Sequence, residues 1–284
     1  MLFYWKKYME STQKFLLDFL KTNPNLTTPF VVATKEQSSG IGSRGNTWQS
    51  VECGLYFSCA LHKTLLPKDL PLQSLSIYFG FIFLEIFREI NPNVWLKWPN
   101  DFYIQQDDIQ EQYKTNTKVG GILTHNLKDF IVFGIGLNLV SSNFCALFQD
   151  FSTKDSLNTQ NIYTSSQKKY QKNGNVLQNQ QRDWILYAII EKILDFLSFN
   201  IVKCNFTNDE YKLECNNTCV VFLQEKFSWQ EIFKKYQNEF YKNGNFKAHI
   251  NNENGITQEV FLRHAKLQND GSILLHNKIL HSLR

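Results

Sequence analysis

Two apolar stretches, "KVGGILTHN" (118–126) and "DFIVFGIGLNLV" (129–140), meet at the polar "NLKD". Their spacing predicts a β-hairpin, and their glycines restrict what that hairpin can pack against. Side chains alternate along a strand, so Gly134, Gly136 and Asn138 share one face, and Ile135, Leu137 and Leu139 the other. Glycine weakens a strand, so several on one face imply something flat lying against bare backbone. A bound ligand and a packed helix both meet that description. Gly120 and Gly121 repeat the theme on the neighbouring strand, beside the mobile charge of Lys118. Two adjacent bare faces favour the ligand.

The rest of the chain supplies elements around this hairpin. "STQKFLLDFLKT" (11–22) has Ser11 or Thr12 as a helix N-cap and apolar residues at helical spacing. "LQSLSIYFGFIFLEIFREI" (72–90), "RDWILYAIIEKILDFLSF" (182–199) and "WQEIFKKYQNEF" (229–240) also read as helices. "PFVVATKEQ" (29–37), "GLYFSCALHK" (54–63) and "VWLKW" (94–98) read as strands. Residues 142–181 are largely Asn, Gln, Ser and Lys and are expected to form a mobile loop. From 246 onward, short β-like runs separated by "NENG" and "NDG" turns point to a small separate β unit. The expected division is a domain over 1–243 and a small β domain over 244–284.

Bulk properties exclude several classes. The chain is 43% hydrophobic and 15% aromatic over 284 residues, too apolar for disorder. The net charge of +4 leans toward anionic ligands, but the basic residues form no run of the kind nucleic acid requires. The six cysteines include no CxxC pair and read as reduced thiols. Cys204, Cys215 and Cys219 lie close in sequence, yet no histidine stands at zinc-ligand spacing. The N-terminus reaches charge too early for a signal peptide, and no apolar run approaches the ~20 residues of a membrane span. A cytoplasmic protein without a membrane partner is expected.

Two further stretches carry chemistry. In "SSGIGSRGNTWQS" (38–50), Gly40, Gly42 and Gly45 let backbone N–H groups converge on an anion. Arg44 adds a planar charged fork, and Trp48 a plate for stacking. The plain alternative is a glycine-containing connection with a buried Trp. In "LKWPND" (96–101), Pro99 holds Trp98 extended and ends the strand, so Asn100 and Asp101 would fall at its C-terminal mouth. There Asp101 can serve Mg²⁺ and Asn100 a base edge, or both merely cap an Asx-turn. No Walker loop is present, and "GIGSRG" (40–45), which spells GxGxxG, is followed by no helical pattern of the kind a dinucleotide fingerprint opens. His125 has no evident Ser or Asp partner and reads as a satisfied surface histidine.

These motifs in this order resemble the biotin protein ligase family: "ESTQ" (10–13), "EQSSGIGSRGNTW" (36–48), "KWPND" (97–101), "KVGGIL" (118–123) and "GIGLN" (134–138). The resemblance implies an α+β fold, a mixed sheet flanked by helices of the class II synthetase-like type, with a small C-terminal β domain. It implies ATP-dependent biotinylation of a lysine on the biotin carboxyl carrier protein of acetyl-CoA carboxylase, through biotinyl-5′-AMP, with Mg²⁺ accompanying ATP. Ser11, Thr12, Gln37, Gly40, Gly121, Leu123, Gly134 and Gly136 would form the biotin pocket. Lys118 and Arg44 would act on the carboxylate and phosphates. Trp48, Asn100, Asp101, Asn138 and Arg284 would serve the adenylate, with Asp101 an indirect Mg²⁺ group.

The chain departs from the family pattern at Gln13, where the family has Asn, and at Ile41, Ser43 and Asn46, where it usually has arginines. Arg44 alone remains in that loop, which lowers the expected retention of the adenylate. The segment 102–117 is longer than is usual. About ten residues precede the Ser-Thr pair, so no specific DNA binding is expected, and a monomer or homodimer is compatible with the pattern. A lipoate–protein ligase or a non-catalytic biotin-binding module are the alternatives.

Overall fold

Ser11 caps the first helix, α1 (Thr12–Thr22): its hydroxyl accepts the Lys14 N–H at 3.3 Å. The computed structural model describes residues 2–26, 29–51, 53–108, 113–140, 147, 201–206, 210–215, 227–251 and 257–282. The expected loop over 142–181, apart from Leu147, and the expected helix over 182–199 lie outside these. So do the side chains on which a zinc clip would depend.

The strands of the main sheet are β1 (Leu2–Met9), β2 (Phe30–Gln37), β5 (Cys53–His62), β6 (Val94–Lys97) and β7 (Asp101–Asp108). With them go β8 (Tyr113–Asn126), β9 (Phe130–Val140), β10 (Ile201–Phe206) and β11 (Glu210–Cys215). Two short strands, β3 (Gly40–Ile41) and β4 (Thr47–Trp48), pair outside it. The sheet order is β10-β11-β1-β2-β5-β9-β8-β7-β6. Only β1 and β2 run parallel, joined by α1 as the crossover. The expected hairpin over 118–140 forms as β8 and β9, with Gly121 opposite Gly136 and Leu123 opposite Gly134. Leu2–Met9, a stretch with no expected element, form β1, with Phe3 and Trp5 buried.

The two sheet faces differ. Ile122, Phe133, Ile135, Leu137, Leu55 and Phe57 pack on α2 (Leu75–Ile90), a helix buried on almost every side. Phe79 stacks on Phe133 with ring centroids 4.0 Å apart. On the opposite face α1 covers one end, where Leu16 and Leu20 meet Phe30, Val32, Ala60 and Val132. The area beside α1 on that face is left uncovered by any helix among the described residues.

Helix α3 (Trp229–Glu239), capped by Ser228, packs on α2. Beyond it the expected small β unit resolves into two sheets. One is β12 (Lys247–Asn251) with β13 (Thr257–Phe261). The other is β14 (Lys266–Leu267), β15 (Ile273–Leu275) and β16 (Lys278–Leu280). His276 and Asn277 take φ of 48° and 61° in the two-residue turn before β16, as a type I′ hairpin demands. No helix of the described residues is long and apolar enough to cross a membrane.

Candidate functional site

The uncovered part of the sheet is the floor of a cavity of about 350 Å³. Gly121 and Leu123 of β8, Gly134, Gly136 and Asn138 of β9, and Ser58 of β5 face it. Strand pairing explains why they share a side, since Ser58 lies opposite Gly134 and Gly54 opposite Asn138. Between β7 and β8 the register slips at Val119, because Phe102 pairs Gly120 while Tyr103 pairs Lys118. This bulge inserts one residue and returns Lys118 to the face of Gly121. Without it the lysine would point into the core beneath.

The bare glycine faces are matched to side chains. A Cβ at Gly136 would lie 2.7 Å from the Trp48 indole, and one at Gly134 would lie 2.3 Å from Gln13 Oε1. Trp48 thus lies flat on the β9 floor as the inner plate of the β3–β4 hairpin. Its indole N–H is enclosed without a hydrogen-bond partner. Gly40 stands where that hairpin starts, and a Cβ there would meet Trp48 O at 2.6 Å and Gln37 Nε2 at 2.9 Å. Arg44 belongs to a 3₁₀ turn at the hairpin tip, with Gly45 at φ 76° completing it. The Arg44 side chain and Arg284 lie outside what is described.

At the α1 end a chain of polar groups closes the cavity. Gln37 Oε1 accepts from Thr12 N at 2.8 Å, and Thr12 Oγ1 is 2.7 Å from Ser58 Oγ. Ser58 donates to Gln13 Oε1 at 3.0 Å, and Gln13 Nε2 lies 2.9 Å from His125 Nδ1. Ser11, Thr12, Gln13 and Ser58 are all buried, so these bonds replace lost water. Ser11, by contrast, turns its oxygen back to its own helix. Gln13, Ser58 and His125 were not among the expected site residues. A serine within the apolar run "GLYFSCALHK" was the available signal for Ser58, since its neighbours two positions away share its face. His125 is satisfied, as expected, but by the Gln13 amide and in a half-buried position, and burial holds its imidazole below the usual range.

The other end is charged. Asp101 Oδ1 is 2.7 Å from Lys118 Nζ, and Oδ2 is 3.7 Å from Lys97 Nζ. Lys97 is buried against the rings of Phe246 and Tyr103, at 4.8 and 5.5 Å from their centroids. Burial, with Asp101 second, pushes the Tyr103 phenol up to about 12, so it stays neutral there. Asn100 is committed to β8: Nδ2 donates to Ile122 O at 2.9 Å, and its own carbonyl accepts Ile122 N. The "KWPND" stretch is therefore a hairpin turn with a cis Trp98–Pro99 bond, and Lys97 pairs Asp101 across it. The expected strand mouth is corrected: the sheet is antiparallel here, and the site lies on its face. Lys118 is 43% exposed and lies 5.8 Å from the Trp48 ring.

A magnesium cage does not fit these residues. Both Asp101 oxygens face ammonium groups, and the described residues contain no cluster of three His, Cys, Asp or Glu. The arrangement can hold a flat ligand with a polar head under Thr12 and Gln37 and an anionic tail at Lys118. Leu123 and Lys118 are five residues apart along β8, at most about 16 Å at ~3.3 Å per residue and less across the bulge.

Comparison with known proteins gives concordant results. The Biotin/lipoate A/B protein ligase family matches residues 5–139. Among solved structures, the chain is similar to biotin acetyl coenzyme A carboxylase synthetase from Helicobacter pylori, determined with bound biotinylated ATP. The identity is 30%, with 97% of this chain and 96% of that one covered and a TM-score of 0.61. Biotin protein ligase from Aquifex aeolicus, in complex with biotin and ATP, is 22% identical over 99% of this chain and 95% of its own, with a TM-score of 0.50. Its R40G mutant in complex with biotin is also 22% identical, with 99% and 94% covered and a TM-score of 0.53. The two Aquifex structures speak for the fold alone.

Proposed function

Because the chain belongs to the biotin protein ligase family, we propose that it biotinylates a lysine on a biotin carboxyl carrier protein in two steps. A carboxylate oxygen of biotin attacks the α-phosphorus of ATP, and the bond to the leaving pyrophosphate breaks, giving biotinyl-5′-AMP. The ε-amine of the carrier lysine then attacks the acyl carbon, loses its proton, and releases AMP. The observation that carries this reading is one glycine-lined floor with hydrogen-bonding groups at one end and the Lys118 ammonium at the other.

Thr12, Gln37 and Ser58 bond the ureido head, while Ser11 acts by holding the helix that presents Thr12. Gly121 and Leu123 line the bicycle and valeryl chain, Gly134 and Gly136 shape that wall by seating Gln13 and Trp48 against β9, and Gly40 shapes the approach. Lys118 transfers its ammonium from Asp101 to the carboxylate and α-phosphate, where charge builds up. Arg44 meets the phosphates, and Trp48 covers the anhydride and keeps water from it. Asn138 and Arg284 serve the adenylate end, and Asn100 supports it by tying the turn to β8. Magnesium enters with ATP as part of the substrate, and Asp101 acts through Lys118. Residues 1–243 form the catalytic unit and 244–284 a unit that braces it.

Intact-mass analysis of a carrier domain after incubation with biotin, Mg²⁺ and ATP tests the reading. One biotin on one lysine is expected. If only lipoate drives pyrophosphate release, the chain is a lipoate ligase. Lys118→Ala should lower adenylate formation by about a hundredfold or more while the protein stays folded.

A further inference from the structure

The polar chain at the α1 end runs in one direction, and that direction is set by a group outside the cavity. Val132 O can only accept, and it lies 3.4 Å from Gln13 Nε2. The Gln13 amide is therefore turned with its nitrogen toward Val132 and His125 and its oxygen toward Ser58. His125 Nδ1 must offer a lone pair to that nitrogen, so the neutral ring carries its proton on Nε2. Gln13 Oε1 has only lone pairs, and Ser58 directs its single hydroxyl proton there. Thr12 Oγ1 has a single proton and two acceptors in reach, Gln37 Oε1 at 3.2 Å and Ser58 Oγ at 2.7 Å; because the Ser58 proton is committed, the shorter contact takes it. The two hydroxyl oxygens then have only lone pairs left for the cavity.

From this geometry, and resting on the proposed function, we infer that His125 acts through Gln13 as a positioning residue for ligand selection. It fixes Ser58 and Thr12 as acceptors, which select a head group bearing N–H donors, such as a cyclic urea, over one with none. A ring protonated on both nitrogens would set two donors face to face. The Gln13 amide must then rotate, giving up its weak 3.4 Å bond to Val132 O to accept the imidazolium N–H; its nitrogen donates to Ser58, and the Ser58 proton turns toward the ligand. The head end becomes a donor, matched to the wrong partner. The groups in contact with the ring, Gln13 from α1 and Val132 opposite it on β9, are uncharged. Burial, the cause of the lowered basicity, places the switch on the acid side of the usual imidazole range.

Calorimetric titration of the full chain with biotin, from about pH 8 to about pH 5, tests this against His125→Gln and His125→Lys. Glutamine keeps an acceptor but does not titrate; lysine is a permanent donor. Wild type should lose affinity about tenfold toward acid, His125→Gln should stay near the neutral wild-type value, and His125→Lys should bind about tenfold weaker throughout. A pH profile in His125→Gln equal to that of wild type overturns the role of His125 alone. Absence of biotin binding at every pH overturns the cyclic-urea head together with the proposed function. A second readout needs no ligand: the ¹⁵N shifts of His125 at neutral pH should show the Nε2–H tautomer, and the Nδ1–H tautomer would sink the inference.

Discussion

Asp101 holds its carboxylate between two ammonium groups of very different exposure, half-exposed Lys118 and buried Lys97. Replacing it with Asn keeps the shape and removes the charge that tethers Lys118 and compensates Lys97. Asp101→Asn should cost about 1–3 kcal/mol of stability in a denaturant titration. It should also slow adenylate formation by about tenfold or more, because Lys118 is no longer held over the floor. The two floor glycines separate in a similar way. At Gly136 an added methyl meets the rigid Trp48 indole at 2.7 Å, and at Gly134 it meets the end of the flexible Gln13. Gly136→Ala should therefore lift the Trp48 plate and cut turnover about tenfold with little change in Tm, as steady-state kinetics and a melting curve would show. The sequence made the glycine face visible. It could not show that Trp48 and Gln13 are what lie against it, because both come from segments far from β9 in the chain.

At the scale of elements, α1 matters for the site more through its start than through its length. Ser11→Ala should cost about 1 kcal/mol of stability by removing the N-cap. Its effect on biotin affinity should be smaller than that of Thr12→Ala, since Ser11 turns its oxygen inward and Thr12 faces the cavity. Isothermal titration of both variants compares them directly. Elements with a clear internal period were legible from sequence: α1, α2, α3 and the β8–β9 hairpin all fall where the apolar spacing placed them. The β6–β7 turn was not, because "KWPND" ends one strand and starts the next, and a cis bond leaves no mark in composition. Nor was the bulge at Val119, which depends on how two strands pair and yet decides which way Lys118 points. β1 escaped notice because its partners are β2 and β11, and nothing local to "LFYWKKYM" announces them.

Over the whole molecule, contacts from the chain's last fifth reach the site's supports. The Trp98 indole donates to Gly271 O at 2.8 Å, and Trp98 N donates to Asn243 Oδ1 at 2.8 Å, so the turn carrying Asp101 is pinned from behind. Gly271 has φ 77°, and a Cβ there would lie 2.9 Å from Ile77 and 3.0 Å from Ser74. Gly271→Ala should cost about 1–3 kcal/mol and raise the KM for ATP, measured by melting and by pyrophosphate exchange. A second tie joins α2 to α3, where Arg88 and Lys242 both bond Glu239. Burial alone would push the Glu239 carboxyl up, but these two bonds outweigh it and hold it below its usual value of 4.5. Its stabilising share is therefore complete above about pH 4.5 and vanishes as pH falls through the lower folded value. Acid denaturation should show Glu239→Gln less stable than wild type near neutrality by about 1–2 kcal/mol, with the gap closing in that acid window. The sheet order has a consequence for how the chain is made. Leu2 pairs with Glu214, so the N-terminal strand leaves the ribosome long before its outer neighbour exists. Until β11 arrives, one edge of β1 is open to any other nascent strand, and synthesis passes through a stage at which self-association competes with completion of the sheet.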